Sequence, residues 1–141
     1  MFKPKVIFIC TGNSCRSQIA EGIMRDAAGK DFDVFSAGSH PSHVHPMAIK
    51  VMNEWGIDIS EHTSDSIDYY LDKDMDIVIT VCDHANQVCP TFPGHIERLH
   101  WSIKDPFSGW GQEDEYIDAF RKTRKIICER IEEFLKSRED E

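Results

Sequence analysis

The stretch Lys5-Val-Ile-Phe-Ile-Cys10-Thr-Gly-Asn-Ser-Cys-Arg16-Ser17 decides the fold of this chain of 141 residues. Lys5–Ile9 is rich in β-branched and aromatic side chains, which predicts a buried parallel strand that ends at Cys10. Residues 11–14 have the composition of a turn, and from Arg16 onward apolar residues recur at the three-and-four spacing of a helix. The stretch is therefore expected to form a strand, a glycine-bearing loop and a helix in direct succession.

The rest of the chain continues the alternation of strands and helices. We predict further strands at residues 34–35, 76–81 and 96–101, the last one weak, and further helices at residues 46–55 and 113–135. This alternation, without a repeat or a linker, predicts one α/β domain over residues 1–141: a three-layer sandwich in which a four-stranded parallel sheet carries helices on both faces. Ligands of such sheets bind beyond the carboxyl ends of the strands. Cys10, Cys82 and Asp105 all follow predicted strands and are expected at that edge.

Composition and charge argue against several classes of function. The formal net charge is −9 and no block of Lys or Arg stands out, which argues against binding of nucleic acids or anionic membranes. The apolar run Val6–Ile9 is too short for a signal peptide, and no stretch approaches the ~20 apolar residues of a membrane helix. We therefore expect a cytoplasmic protein. Its five cysteines, at positions 10, 15, 82, 89 and 128, would be reduced there, which leaves buried thiols, a metal site or redox catalysis.

The loop between the first strand and the first helix has the features of an anion site. A glycine-bearing loop that leads into a helix N-terminus directs successive N–H groups at one point, and the guanidinium of Arg16 can add two parallel hydrogen bonds to a tetrahedral oxyanion. The same positive field favours the thiolate of Cys10, to which Ser17 can donate a hydrogen bond. Such a thiolate is a nucleophile toward phosphorus or arsenic. The expected oxyanion-binding residues are Thr11, Gly12, Asn13, Ser14, Cys15 and Arg16.

Simpler interpretations of the cysteines remain open at this point. Cys10 could be a buried structural thiol in front of an ordinary helix capped by Ser14, and Cys15 is favoured as a packed or rim thiol. Cys82 and Cys89 could be two buried thiols beside a turn. A zinc site is disfavoured because the Cys82–Cys89 spacing is wider than the ligand spacing of structural zinc sites.

The segment from Val6 to Gly22 resembles the opening of the low-molecular-weight tyrosine phosphatase superfamily. Within it, Gln18 after Arg16-Ser17 resembles the thioredoxin-coupled arsenate reductases, because the phosphatases usually carry Pro at that position. The likeness extends over nearly the whole chain. It includes Ser36-Ala-Gly38, Asp58-Ile-Ser60, His62-Thr-Ser-Asp65, Cys82, Cys89-Pro90, Pro93, His100-Trp101 and Asp105-Pro106. Phe107 departs from the small residue expected after Asp-Pro in the reductases and leans toward the phosphatases.

The resemblance implies reduction of arsenate to arsenite, with phosphate or sulfate as mimics of the substrate, by a monomer without a tightly bound cofactor. Cys10 would attack arsenate, and Asp105 would protonate the leaving oxygen. Cys82 would then attack Cys10, Cys89 would attack Cys82, and thioredoxin would supply electrons by reducing the final disulfide. The implied catalytic residues are Cys10, Arg16, Ser17, Cys82, Cys89 and Asp105.

The spacing of Cys82 and Cys89 predicts a conformational change. If residues 83–88 continue as a helix, the two Cα atoms lie about 10.5 Å apart, at 1.5 Å per residue. A disulfide requires Cα atoms within roughly 4.4–6.8 Å. We therefore expect this segment to be helical in the reduced protein and to unwind or loop out when the Cys82–Cys89 disulfide forms.

Two sets of residues are considered as cation sites, and the first is the stronger candidate. Asn13, Glu21, Ser36 and Asp65 resemble a potassium site found in part of the arsenate reductase family, and their oxygen atoms suit a hard monovalent cation. Helix capping and loop hydrogen bonds would explain the same residues. The three histidines of residues 40–45 are expected to form a polar rim loop rather than a metal site.

Two other functions compete with arsenate reduction. A phosphotyrosine phosphatase would explain Cys10 and Asp105 but leaves Cys82 and Cys89 without a role. A redox sensor or phosphoprotein-binding module without catalytic activity is the remaining alternative.

Overall fold

The computed structural model of the chain describes residues 3–106 and 113–139. The strands and helices predicted from the sequence are present with small shifts at their ends, and none of the described helices is long and apolar enough to cross a membrane. In chain order the elements are β1 (Lys5–Cys10), α1 (Arg16–Ala28), β2 (Asp33–Gly38), α2 (Pro46–Asn53), a 3-10 helix (Ile67–Tyr70), β3 (Ile77–Thr80), α3 (Asp83–Val88), β4 (Glu97–His100) and α4 (Glu113–Glu139).

The four strands form one parallel sheet in the order β2-β1-β3-β4. Ile9 of β1 pairs with Ala37 of β2 on one side and with Thr80 of β3 on the other. The central strand is buried from Val6 to Cys10, as a strand covered on both faces must be, whereas the edge strand β4 is largely exposed. The predicted α/β fold with a four-stranded parallel sheet is confirmed.

Helices cover both faces of this sheet. Residues in register on parallel strands point to the same face, and neighbours along a strand point to opposite faces. On one face, Thr80 of β3 contacts Asn86 of α3. On the other face, Ser36 of β2 contacts Glu21 of α1, and Glu97 of β4 pairs with α4. Because α2 packs against α1 and α4, it belongs to this second layer, and the sheet lies between two helical layers.

Gly38, the last residue of β2, lies against the loop that follows β1. A Cβ atom at this position would lie 2.5 Å from the carbonyl oxygen of Thr11 and 2.8 Å from the backbone nitrogen of Asn13. Both neighbours are backbone atoms and cannot move aside without displacing the loop. The absence of a side chain at Gly38 therefore allows β2 to support the loop directly.

We expect Gly38→Ala to lower the free energy of unfolding by about 1–3 kcal/mol, the usual cost of overpacking. Urea denaturation of the two proteins measures this difference. Gly12→Ala is the matched control, because a Cβ at Gly12 has its nearest neighbour at 3.6 Å, an ordinary contact. Equal losses of stability in both variants would contradict the steric explanation.

Candidate active site

Cys10 ends β1 and is 2% exposed, at the base of the loop that leads into α1. Ser17 lies in the first turn of α1, and its hydroxyl oxygen is 2.9 Å from the Cys10 sulfur. Ser17 Oγ also accepts a hydrogen bond of 2.8 Å from the side-chain amide of Asn13. The hydroxyl proton of Ser17 can therefore be donated to the sulfur, and a hydrogen bond to the charged form of an acid favours that form. This geometry is the one that thiolate stabilisation requires.

Asn13 fixes the backbone of the loop. Its φ of 46° lies in the left-handed region, which Asn adopts more readily than most residues, and its side chain is fully buried. The Nδ2 group donates to Ser17 Oγ at 2.8 Å and to Ser36 Oγ at 3.0 Å, while Oδ1 accepts the N–H of Asp65 at 2.8 Å. The backbone oxygen of Asn13 accepts from Gln18 Nε2 at 3.1 Å. One residue thus ties the loop to α1, to β2 and to the segment in front of the 3-10 helix.

Residues 39–45, here called the outer loop, hold the loop carbonyls on one side. The N–H groups of residues 40, 42 and 45 donate to the carbonyl oxygens of residues 11, 12 and 14, at 2.8, 3.1 and 3.0 Å. A trans peptide points its C=O and the following N–H in opposite directions. The N–H groups of residues 12, 13 and 15 therefore face away from the outer loop. Amides fixed in this way can bind an anion, and the concavity that they line is the candidate anion site.

Arg16 and Asp105 lie at the opening of this concavity. Arg16 Nη1 donates to the carbonyl oxygen of Ile103 at 2.8 Å, and its Nη2 lies 3.8 Å from the carboxylate of Asp105. The Asp105 side chain is about half exposed. A cavity of about 320 Å³ brings the groups together, lined by Cys10, Cys15, Arg16, Ser42, His43, His45 and Asp105 among others. The predicted nucleophile and the predicted acid therefore share one cavity.

Ser14 is the predicted N-cap of the first helix in the simpler interpretation, but Cys15 occupies that position. The N-cap of α1 is Cys15, whose side chain makes no capping hydrogen bond, so Ser14 is not the cap residue. Burial raises the pKa of the Cys15 thiol to about 12. Cys15 is consequently a neutral thiol at physiological pH, as expected for a packed or rim cysteine.

Cys82 lies beside the loop although it is distant in sequence. Its sulfur is 3.4 Å from the hydroxyl oxygen of Thr11, the residue that follows Cys10. Cys82 is also the N-cap of α3, and its sulfur accepts the N–H of Ala85 at 3.4 Å. A second cavity of about 440 Å³ contains Cys82 and shares Thr11 and Arg16 with the first. The two thiols therefore line two different cavities that meet at Thr11 and Arg16.

Cys89 ends α3 on the side away from Cys82. Residues 83–88 form the predicted helix, and all five cysteines are free thiols. The Cys89 side chain is half-buried, and burial raises the pKa of its thiol, an effect that the nearby charge of Arg98 opposes. In this conformation Cys89 is thus both remote from Cys82 and poorly ionised.

Comparisons with known proteins agree with this geometry. The family model for low molecular weight phosphotyrosine protein phosphatase matches residues 5–141. The chain belongs to this family. It is also 47% identical over 137 residues to an arsenate reductase of Halalkalibacterium halodurans, covering 97% of the chain and 99% of the relative, and so belongs to the arsenate reductase branch.

Two solved structures of arsenate reductases superpose on the chain. An arsenate reductase in the phosphate binding state has a TM-score of 0.81 at 36% identity, with 95% of this chain and 98% of that chain covered. A thioredoxin-dependent arsenate reductase of Corynebacterium glutamicum has a TM-score of 0.75 at 32% identity, with 96% of this chain and 61% of that chain covered. The fold and the reductase branch of the family are shared.

The four residues that resemble a potassium site in this family lie in one hydrogen-bonded network, in which only Asp65 is partly exposed. Ser36 lies between the Asn13 amide and Glu21 Oε1, at 3.0 and 2.5 Å. Glu21 also pairs with Arg25 at 2.6 Å, and both line a cavity of about 200 Å³ with Asp65. The N-cap of the 3-10 helix is Ser66, so capping does not explain Asp65. In the described parts of the chain, no cluster of three or more His, Cys, Asp or Glu side chains could hold a metal ion.

The role of the outer loop in the site could be predicted from the sequence only in part. The outer loop is a polar rim of the Cys10 cavity, as predicted, and it places His43 and His45 on the cavity lining. It also supplies three backbone donors to residues 11–15, here called the anion loop. These contacts are made by backbone N–H groups, so the types of the side chains in the loop do not reveal them. His45 caps α2 by accepting the N–H of Met47, and burial lowers the pKa of its imidazole. Phe107 lies outside the described residues.

We expect Ser17→Ala to slow alkylation of Cys10 by iodoacetamide at pH 7 roughly three- to tenfold, because the thiolate loses one hydrogen bond worth about 1 kcal/mol. The rate is measured by mass spectrometry of the Cys10 peptide. Ser39→Ala is the matched control, since the Ser39 hydroxyl contacts His40 instead. An unchanged rate in Ser17→Ala would show that the hydroxyl does not stabilise the thiolate.

Proposed function

We propose that this protein reduces arsenate to arsenite with the thiols of Cys10, Cys82 and Cys89 and is regenerated by thioredoxin. The observation that carries the proposal is the position of the Cys82 sulfur, 3.4 Å from the hydroxyl of Thr11 and thus beside the residue that follows the nucleophile. The names of full-length relatives and of the superposed structures support arsenate as the substrate. A phosphate ester hydrolase has no use for this second thiol.

The first step forms a covalent adduct. The Cys10 thiolate attacks arsenic of an arsenate held by the loop N–H groups and Arg16, and an oxygen leaves arsenic as water. Asp105 supplies the proton for that oxygen, since it opens into the same cavity as Cys10. Arsenic remains in the pentavalent state, bonded to sulfur.

The second and third steps move two electrons. Cys82, as a thiolate, attacks the Cys10 sulfur; the sulfur–arsenic bond breaks, and its electron pair stays on arsenic, which leaves as arsenite. The two thiols have lost two electrons and form the Cys10–Cys82 disulfide. The Cys89 thiolate then attacks the Cys82 sulfur, which releases the Cys10 thiolate and leaves a Cys82–Cys89 disulfide. A thioredoxin dithiol returns two electrons to that disulfide.

The third step requires α3 to open. Across this helix the Cα atoms of Cys82 and Cys89 are about 10.5 Å apart, well beyond the roughly 6.8 Å limit for a disulfide. Opening also removes Cys89 from the burial that raises its pKa, so that the thiolate becomes accessible when it is needed. Distance and ionisation thus favour the same conformational change.

Thioredoxin as the reductant is supported by the superposed thioredoxin-dependent reductase of C. glutamicum. Because the proposed reaction needs cysteines that are kept reduced, we propose that the protein works in the cytoplasm. Hydrolysis of phosphate esters is a side activity of the same loop, because arsenate and phosphate share charge and tetrahedral shape. The decisive experiment measures NADPH consumption with arsenate, thioredoxin and thioredoxin reductase, and an inert protein would refute the proposal.

We expect Cys89→Ser to complete one turnover and stop with a Cys10–Cys82 disulfide, because no third thiol can release Cys10. Arsenite released per enzyme and mass spectrometry of the disulfide measure this outcome. Cys128→Ser is the matched control, since the Cys128 thiol faces Glu132 on α4 and is expected to leave steady turnover unchanged. Steady turnover by Cys89→Ser would contradict the three-thiol scheme.

We also propose a potassium ion among Asn13, Glu21, Ser36 and Asp65, because amide, hydroxyl and carboxylate oxygens are the ligands of a hard cation. An ion there would share the Glu21 carboxylate with Arg25, which already lies 2.6 Å away. Since the network holds Asn13, a bound ion would stabilise the anion loop.

We expect the melting temperature to be about 2–4 °C higher in KCl than in NaCl of equal ionic strength, because a ligand that binds only the folded state stabilises it. Differential scanning calorimetry measures the difference. Glu21→Gln should abolish it, whereas Glu61→Gln, at the exposed edge of the same cavity, should retain it. Equal melting temperatures of the wild type in both salts would rule out a specific potassium site.

A further inference from the structure

Two basic side chains of the edge strand β4 contact α3, the helix that lies between Cys82 and Cys89. Arg98 and His100 alternate with Glu97 and Leu99 along the strand and therefore share the face on which α3 lies. His100 Nε2 lies 2.9 Å from the carboxylate of Asp83, the first residue of α3. Hydrogen bonds from His100 and Ser102 lower the pKa of Asp83, so that the carboxylate is ionised and the imidazole N–H is the donor.

A second set of contacts holds α3 one turn further along. Arg98 Nη2 donates to the backbone oxygen of Asn86 at 3.1 Å and to its side-chain oxygen at 3.4 Å. The Thr80 hydroxyl on β3 connects both sets, because its oxygen lies 2.8 Å from His100 Nδ1 and 3.2 Å from Asn86 Oδ1. Asp83 and Asn86 are three residues apart and lie on one face of the helix. That face is thus fastened to the sheet at two points.

A helix of six residues depends on such contacts, since isolated helices this short are not stable in water. The formation of a Cys82–Cys89 disulfide requires the helix to open, so the bonds from Arg98 and His100 must break first. As long as they hold, Cys82 cannot pair with Cys89 and remains available for Cys10.

We propose that Arg98 and His100 form a latch on β4 that keeps α3 closed, so that Cys82 reacts with Cys10 before it can pair with Cys89. The inference rests on the proposed function and adds two positioning residues to it. Neither residue touches the reacting atoms. Release of this β4 latch sets the rate of the third step, and its closure protects the reduced enzyme from forming the Cys82–Cys89 disulfide prematurely with an oxidant such as hydrogen peroxide.

The first test measures backbone amide exchange of residues 84–89 in the reduced enzyme without arsenate. We expect His100→Ala to accelerate exchange of this segment roughly three- to tenfold, the size of one partly exposed charge-assisted hydrogen bond. Asp83→Ala should have a similar effect, and the double variant should add little, because both changes remove the same bond. Glu97→Ala is the matched control: it lies on the other face of β4, where it pairs with Arg138 of α4.

The second test follows the disulfides. One equivalent of hydrogen peroxide converts two thiols to a disulfide and two waters, and mass spectrometry then identifies the pair. We expect His100→Ala to raise the yield of Cys82–Cys89 disulfide severalfold over the wild type and Glu97→Ala. With arsenate in a single turnover, the Cys10–Cys82 intermediate should decay faster in His100→Ala. A generally destabilised protein would not show this selectivity.

Two results would overturn the latch: exchange at residues 84–89 that is unchanged in His100→Ala, or the same acceleration in Glu97→Ala. The amide-exchange test uses no substrate, so a failure of arsenate turnover in the wild type would refute the proposed function without affecting this measurement. Conversely, normal turnover with unchanged exchange would refute the latch alone.

Discussion

The side-chain amide of Asn13 is the contact on which the anion loop depends. It is fully buried, sits on a residue in the left-handed conformation, and makes hydrogen bonds to Ser17, Ser36 and the backbone of Asp65. A buried amide that lost these partners would cost about 1–3 kcal/mol for each unsatisfied group, in addition to the strain of positive φ. The loop therefore keeps its shape without a bound anion, and the energy of binding need not be spent on ordering it.

The parallel sheet explains how two cysteines that are distant in sequence come to the same edge of the sheet. β1 and β3 are neighbours, with Ile9 opposite Thr80, so the chain leaves both strands at the same edge. Cys10 is the last residue of β1, and Cys82 follows Thr80 after one intervening residue. A loop nucleophile is enough for phosphoryl transfer. In the proposed mechanism, the second thiol, just beyond the adjacent strand, supplies what a two-electron reduction needs in addition. Reductase chemistry is thus an addition to the anion loop rather than an alternative to it.

The sequence predicts those parts of the protein in which side-chain type encodes position. The run Lys5–Ile9, the turn after it and the helix beginning at Arg16 are all recognisable, and so are the cysteines at the ends of strands. Backbone-mediated contacts are not: the outer loop donates through N–H groups that every residue except proline carries. The strand pattern of β4 is weak in the sequence for a physical reason as well. Arg98 and His100 contact α3, so the face of the strand that covers this helix is polar.

The proposed mechanism requires the short helix α3 to have low local stability. Its buried contribution is small, since only Ala85 among its residues is buried, and its remaining ties to the sheet are polar and partly exposed. Elements held by few apolar contacts open at a free-energy cost well below that of global unfolding. A longer or more apolar helix would keep Cys89 from Cys82 permanently, while an unfolded segment would let them pair at any time. The polar contacts of α3 place the free-energy cost of opening the helix between these two extremes. The proposed mechanism needs such an intermediate cost if Cys10, Cys82 and Cys89 are to react in that order.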